Sequence, residues 1–217
     1  MTKMLRIVSI VWILKAIHTD GQDYRSVNNN PPLTEVPDGI PANSSSVWLT
    51  DNAISVLDGM LDHLTELKTL VLSKNKFTTF PDLTNIPSLL SLHLSNNMLK
   101  ELPDLSMISQ IEILKVDYNR ITLIRPSTFQ SLTAIKRLDL SGNPLFVFPD
   151  LTLMKDSLVT LMLNDVGLSY VPKYLIHPFT KIEILYLNDN FLRYIPDVST
   201  VSTGLIDTWQ IYFFMNN

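Results

Sequence analysis

The side chains able to do covalent or acid–base chemistry are few in this chain, which holds four histidines and no cysteine in 217 residues. Disulfides, thiolate metal sites and a cysteine nucleophile are excluded together, while the redox compartment stays undetermined. His18 falls in an N-terminal apolar segment, and His63 and His177 stand between phrases that repeat along the chain. No two histidines have the spacing of metal ligands. His93 with nearby Asp117 is the one conceivable acid–base pair, and it competes with the plain reading of His93 as a surface residue. A serine elbow, a phosphate-binding loop and an HExxH zinc motif are all missing. We therefore assign no catalytic residue, no metal ligand and no cofactor, and expect the protein not to be an enzyme. The net charge of −4 leaves no basic surface for nucleic acid.

A different polar residue recurs at fixed spacing. Asn52, Asn75, Asn97, Asn119, Asn143 and Asn190 occupy one point of a phrase that is clearest as Leu89-Leu-Ser-Leu92-His-Leu94-Ser-Asn-Asn97-Met-Leu99-Lys-Glu-Leu102-Pro103. Val166 takes the sixth of seven slots, and the steps between slots are 23, 22, 22, 24, 23 and 24 residues. Apolar residues stand at relative positions 1, 4, 6, 11 and 14, with the asparagine at 9. Leu92 and Leu94 alternate with His93, so in an extended segment both leucines point to one side and the histidine to the other. One such unit buries nothing alone, whereas stacked units form a continuous core. A hydrophobic content of 46% is ample for that core, and the length fits one domain.

This spelling at a period of about 20–29 residues resembles the leucine-rich repeat family, from about Leu33 to about Pro196. The resemblance implies an α/β repeat solenoid, an arc with a parallel sheet on its concave face. It also implies that each asparagine turns inward and bonds carbonyl and amide groups of the turns. Val166 cannot do this, so repeat six is expected to have a looser turn or to let water replace the amide. On the opposite side, Phe80-Pro-Asp-Leu83, Leu102-Pro-Asp-Leu105, Phe148-Pro-Asp-Leu151 and Ile195-Pro-Asp-Val198 carry a proline that fixes φ and lacks a donor. Short, mostly non-helical convex segments are expected there. Phe129 and Phe179 match the phenylalanine of the 24-residue extracellular repeat, whose ring packs in the core.

Residues 1–21 read as a signal peptide, with Lys3 and Arg6 ahead of the apolar run Ile7–Leu14. The competing reading is a retained N-terminal helix or anchor, although a run of eight is too short to span a bilayer. Residues 22–32 look like a polar lead-in. Residues 33–46 hold Leu33-Thr-Glu-Val-Pro37-Asp-Gly-Ile-Pro41, similar to the N-terminal cap of extracellular leucine-rich proteins but without its cysteines. Asn43-Ser-Ser45 is the single glycosylation sequon, or else three turn-forming polar residues. Residues 47–200 hold about seven repeats. Residues 201–217 read as a truncated repeat or tail in which no further asparagine phrase follows Val201–Ile206.

The strand side of a solenoid is its extended binding surface. Its outward residues at position 5 include Trp48, His93, Lys115, Asp139 and Tyr186, with Arg137 at position 3 and Tyr118 at position 8. Aromatic residues and arginine are the usual anchors of protein interfaces, so these seven are the candidate partner-binding residues. A plainer alternative is that Lys115 and Asp139, one strand apart, merely pair with each other. The expectation is a secreted, non-enzymatic protein that binds a protein ligand or a cell-surface or matrix protein through its concave face. It is expected to have no stable membrane span, and self-association through the C-terminal tail is open. A self-assembling matrix component and an intracellular adaptor remain the alternatives.

Overall fold

The protein is described by a computed structural model covering residues 23–194 and the strand 210–212. The N-terminal segment read as a signal peptide, the repeat-seven Pro-Asp phrase and the rest of the tail lie outside the described residues. Nine three-residue strands form one parallel sheet in strict sequence order: β1 (Asp23–Arg25), β2 (Ser46–Trp48), β3 (Thr69–Val71), β4 (Ser91–His93), β5 (Ile113–Lys115), β6 (Arg137–Asp139), β7 (Thr160–Met162), β8 (Ile184–Tyr186) and β9 (Gln210–Tyr212). Each strand pairs with the next in the same register, so that Leu70, Leu92, Leu114 and Leu138 stand side by side. The solenoid arc is thus one strand per coil, with few helices.

The strands are short because the chain must leave the sheet before position 9. It does so through a left-handed residue at position 8 of every repeat: Asp51, Lys74, Asn96, Tyr118, Asp165 and Asp189 have φ between 50° and 60°, and Gly142 has 65°. The asparagine then turns inward. Asn97 Nδ2 donates to the carbonyls of Leu94 and Leu72, both at 3.0 Å, and of Ser95 at 3.4 Å. Its Oδ1 accepts the Phe77 amide at 3.1 Å. One carboxamide therefore ties its own turn to the coil before it. Asn75, Asn119, Asn143 and Asn190 repeat the set of partners. Beneath them, positions 4, 6 and 11 contribute leucine, isoleucine, valine and phenylalanine to one continuous buried column from Tyr24 to Leu192.

The sixth slot is re-bonded rather than loosened. Val166 is fully buried. With no carboxamide to receive it, the Leu145 amide donates to Asn143 O at 2.8 Å. Phe146, left-handed at φ 59°, carries its own amide to Val166 O at 2.8 Å. Pro144, which has no amide to offer, stands where Ala53, Lys76, Met98, Arg120 and Phe191 of other repeats make a cross-coil bond. Asn190 Oδ1 accepts from both Val166 and Leu168, at 3.2 and 2.9 Å.

Residues 22–32 are not merely a lead-in. Within them β1 pairs with β2, Tyr24 enters the core, and Asn29 fills an asparagine slot, donating to Asn52 Oδ1 at 3.0 Å. The coil hides in the sequence because Ser26 replaces the position-6 leucine and polar residues surround it. At the other end, β9 extends the sheet inside the segment read as a tail. The sequence there, Ile211-Tyr-Phe213-Phe-Met-Asn216, carries the L-x-L-x-x-N spelling with an aromatic at position 6, so a phrase does follow.

On the convex side the described Pro-Asp segments carry no helix or strand. In three of them the aspartate accepts the amide two residues on: Thr84 to Asp82 at 3.0 Å, Ser106 to Asp104 at 2.8 Å and Thr152 to Asp150 at 3.0 Å. Two of these lead into single 3-10 turns at Ser106–Ile108 and Thr152–Met154, with a third at Pro126–Phe129 and one α turn, α1, at Lys173–Ile176. Phe129 and Phe179 lie in the core.

Replacing Asn97 by alanine should cost roughly 2–5 kcal/mol, since several buried backbone groups lose a partner at about 1–3 kcal/mol each. Val166→Asn should leave stability within about 1 kcal/mol of wild type or raise it. Urea unfolding of both variants checks this, and a Val166→Asn loss as large as that of Asn97→Ala would contradict it.

Candidate functional site

The sheet alternates strictly. From β1 to β8 position 4 points into the core, and positions 3 and 5 face the concavity, half-buried except for buried Val71 and Thr160 and exposed Arg25. In-register pairing turns position 5 into a row across the face: Arg25, Trp48, Val71, His93, Lys115, Asp139, Met162, Tyr186. Adjacent members stand about 4.8 Å apart. Arg137 lies beside this row on β6, and Tyr118 stands at the turn edge, 55% exposed. The Tyr118 ring covers Gly142, where an added Cβ would come within 2.5 Å of it. A glycine is needed there both for the left-handed backbone and to seat that ring.

The row is chemically graded. At its N-terminal end the Arg25 guanidinium stacks 4.7 Å from the Trp48 ring centroid, a cation–π contact. Arg25 also pairs with Asp23 at 3.6 Å. Sequence reasoning missed both residues, because their strand had no leucine pattern. The Trp48 indole N–H is buried with no acceptor among the described residues. At the centre, His93, Lys115 and Asp139 are consecutive. Among the described residues no ion pair joins Lys115 to Asp139, so the two charges are not locked together.

Below them a second row, at position 7, holds the hydroxyls of Thr50, Ser73, Ser95 and Ser141, the acid Asp117, and Asn164 and Asn188. Ser95 donates to Asp117, and the Ser141 amide donates to Asp139 at 3.1 Å. Burial pushes the Asp139 carboxyl above its ordinary value, as does the Asp117 charge; Ser141 hydrogen bonds and Lys115 pull the other way. His93 is pushed below its ordinary value by burial and by Lys115, with Asp117 opposing. His93 Nε2 is bonded to Ser91 Oγ at 3.0 Å, while Asp117 is engaged by Ser95. No hydrogen bond wires His93 to Asp117, so the pair is not arranged as a general acid and its orienting carboxylate.

With the coil and its face described, comparison with known proteins is direct. The family model described as Leucine rich repeat matches residues 109–150. Leucine-rich repeat transmembrane protein FLRT2 of Homo sapiens is 32% identical over 158 residues, covering 68% of this chain and 20% of that protein. Internalin C2 of Listeria monocytogenes superposes with a TM-score of 0.73 at 21% identity, covering 88% of this chain and 80% of that one. Human trophoblast glycoprotein does so with a TM-score of 0.70 at 25% identity, covering 89% and 76%. The chain is a leucine-rich repeat protein. It spans about a fifth of the length of the FLRT2 relatives it matches.

As in the family generally, the repeats present an extended surface of the kind that mediates protein–protein interaction. The Asn43 side chain is exposed, ahead of β2. No helix among the described residues is long and apolar enough to cross a membrane.

The packing of His93 makes a prediction. Burial disfavours its charged form, so in the folded state the imidazole should titrate below the unfolded value of about 6.5. The unfolded chain then binds the proton first, and stability falls as pH drops below about 6.5 toward the folded-state value. NMR titration of the ring checks this, and a midpoint above about 6.5 would contradict it.

Proposed function

We propose that this leucine-rich repeat protein is a secreted, non-enzymatic binding module that recognises a protein partner through its concave face. The observation that carries the proposal is the graded row on that face. Trp48, Lys115, Arg137, Asp139 and Tyr186 are half-buried and held by a rigid sheet, and the two central charges are left uncommitted to each other. Side chains already fixed by their neighbours lose little entropy on binding. Unpaired charges of both signs give orientation and discrimination more than raw affinity. His93 and Tyr118 complete the surface, and Arg25 with Asp23 extends it by one strand.

The secreted location rests on the basic-then-apolar N-terminus and on an exposed sequon at Asn43. It is in keeping with relatives whose name calls them transmembrane proteins. Expression in a secretory cell followed by mass spectrometry of the N-terminus and of Asn43 tests it. Product in the medium carrying sugar on Asn43 is expected; an unglycosylated protein confined to the lysate and retaining Met1 would overturn the location.

The binding surface has a separate test. A screen of the tagged protein against arrayed cell-surface and matrix proteins supplies the partner. The triple variant Lys115→Ala, Arg137→Ala, Tyr186→Ala should then bind at least about a hundredfold more weakly, as expected when a few anchors carry an interface. Equal binding by a folded triple variant would contradict the concave reading.

A further inference from the structure

The flank that follows the asparagine turns changes character along the solenoid. The residue four after each slot reads Val56, Thr79, Glu101, Leu123, Val147, Tyr170, Tyr194. The third of these is a charge, paired through Glu101 to Arg125 at 3.1 Å. From repeat four onward the column is wholly apolar or aromatic, and Leu123, Val147, Tyr170 and Tyr194 are each at least 63% exposed. Phe146 and Phe191 widen the stripe, at 62% and 70% exposed. Phe146 is held there by the re-bonded sixth turn. Its left-handed backbone throws the ring across the next coil, over Gly167, where a Cβ would lie 2.7 Å from it.

We propose that this flank is a self-association surface on which a second copy of the chain packs about a two-fold axis, with the two stripes antiparallel. Three features of the stripe select that occupant. The first is area. Four largely exposed aromatic side chains at about 150–250 Å² each, with Leu123 and Val147, present roughly 700 Å². That is near the ~800 Å² each partner gives a standard interface, and above what a monomer ordinarily leaves bare.

The second is charge. Among the four residues that follow each slot in repeats five to seven, Arg193 is the single ionic one, with the exposed Asp150, Asp165, Lys173 and Asp189 at the margins, so the stripe itself carries little charge to steer a different partner. The third is the gradient of size, from aliphatic at Leu123 and Val147 to aromatic at Tyr170 and Tyr194. Turned antiparallel about a point between repeats five and six, the stripe is complementary to itself. Tyr170 then meets Val147 of the second copy, Tyr194 meets Leu123, and Arg120 falls opposite the Phe191 ring. A two-fold interface needs such self-complementarity. The concave face stays open, so this assembly is independent of the partner-binding reading and distinct from association through the C-terminal tail.

Sedimentation velocity on the full chain across micromolar concentrations tests the proposal. Wild type should show a concentration-dependent monomer–dimer boundary. Val147→Lys and Tyr170→Glu, both at exposed positions, should each raise the dissociation constant roughly tenfold or more while leaving the far-ultraviolet spectrum and melting temperature unchanged. Combining the two substitutions should restore the dimer, because the axis sets each new cation against the new anion of the other copy. A wild type that remains monomeric, or one whose flank is protected only on mixing with another protein, would overturn the proposal. So would a dimer indifferent to both single substitutions, or a double variant that stays monomeric.

Discussion

A chain that turns sharply once every 22 to 24 residues must bring the backbone of each turn against the core, where its carbonyl and amide groups have no water. The fold depends on satisfying those groups from the inside. The slot asparagine does it with one side chain: two donors reach three carbonyls, and one acceptor takes an amide from the preceding coil. No aliphatic side chain can replace this, and no aspartate can, since it lacks the donors. The left-handed residue before the slot and the identical register of the strands are consequences, because the carboxamide reaches its four partners only when successive turns superpose.

This explains what was legible in the sequence and what was not. The slots at Asn52 to Asn190 and the leucines around them could be read because both recur with a period, and a periodic constraint leaves a periodic trace. The Pro-Asp backs were readable for a local reason, proline's missing donor. The two outer strands were not. In β1 a tyrosine and Asn29 stand at the phrase positions with Ser26 in place of the position-6 leucine, so the spelling that marks the other coils is missing. After β9 the sequence has Phe213 at position 6 where the seven repeats have an aliphatic residue. The turn at Val166 is not looser, because hydrogen bonding in a turn is not tied to one residue. The Leu145 amide and Asn190 found other partners once the carboxamide was gone.

The concave row could be enumerated from strand alternation alone, yet its chemistry could not. Only in-register pairing shows that Lys115 and Asp139 are adjacent without closing an ion pair, that Arg25 stacks on Trp48, and that His93 and Asp117 are engaged by different serines. The flank was invisible for another reason. Leu123, Val147 and Tyr170 lie at positions where the repeat imposes no residue type, so freedom from the core leaves them available for contact with something else. The ring of Phe146 is among them because the sixth turn was rebuilt, so the one missing asparagine shapes the surface as well as the turn.

The central claim is that inward carboxamides, more than the strands themselves, hold successive coils together. Native-state amide hydrogen exchange addresses it most directly. The amides of Ile54, Phe77, Leu99, Ile121 and Leu168, all outside the strands but bound to an asparagine Oδ1, should exchange as slowly as the strand amides of their coils. Leu145, bonded only within its own turn, should exchange faster. Exchange of those five amides at loop rates, or protection of Leu145 equal to theirs, would contradict the account.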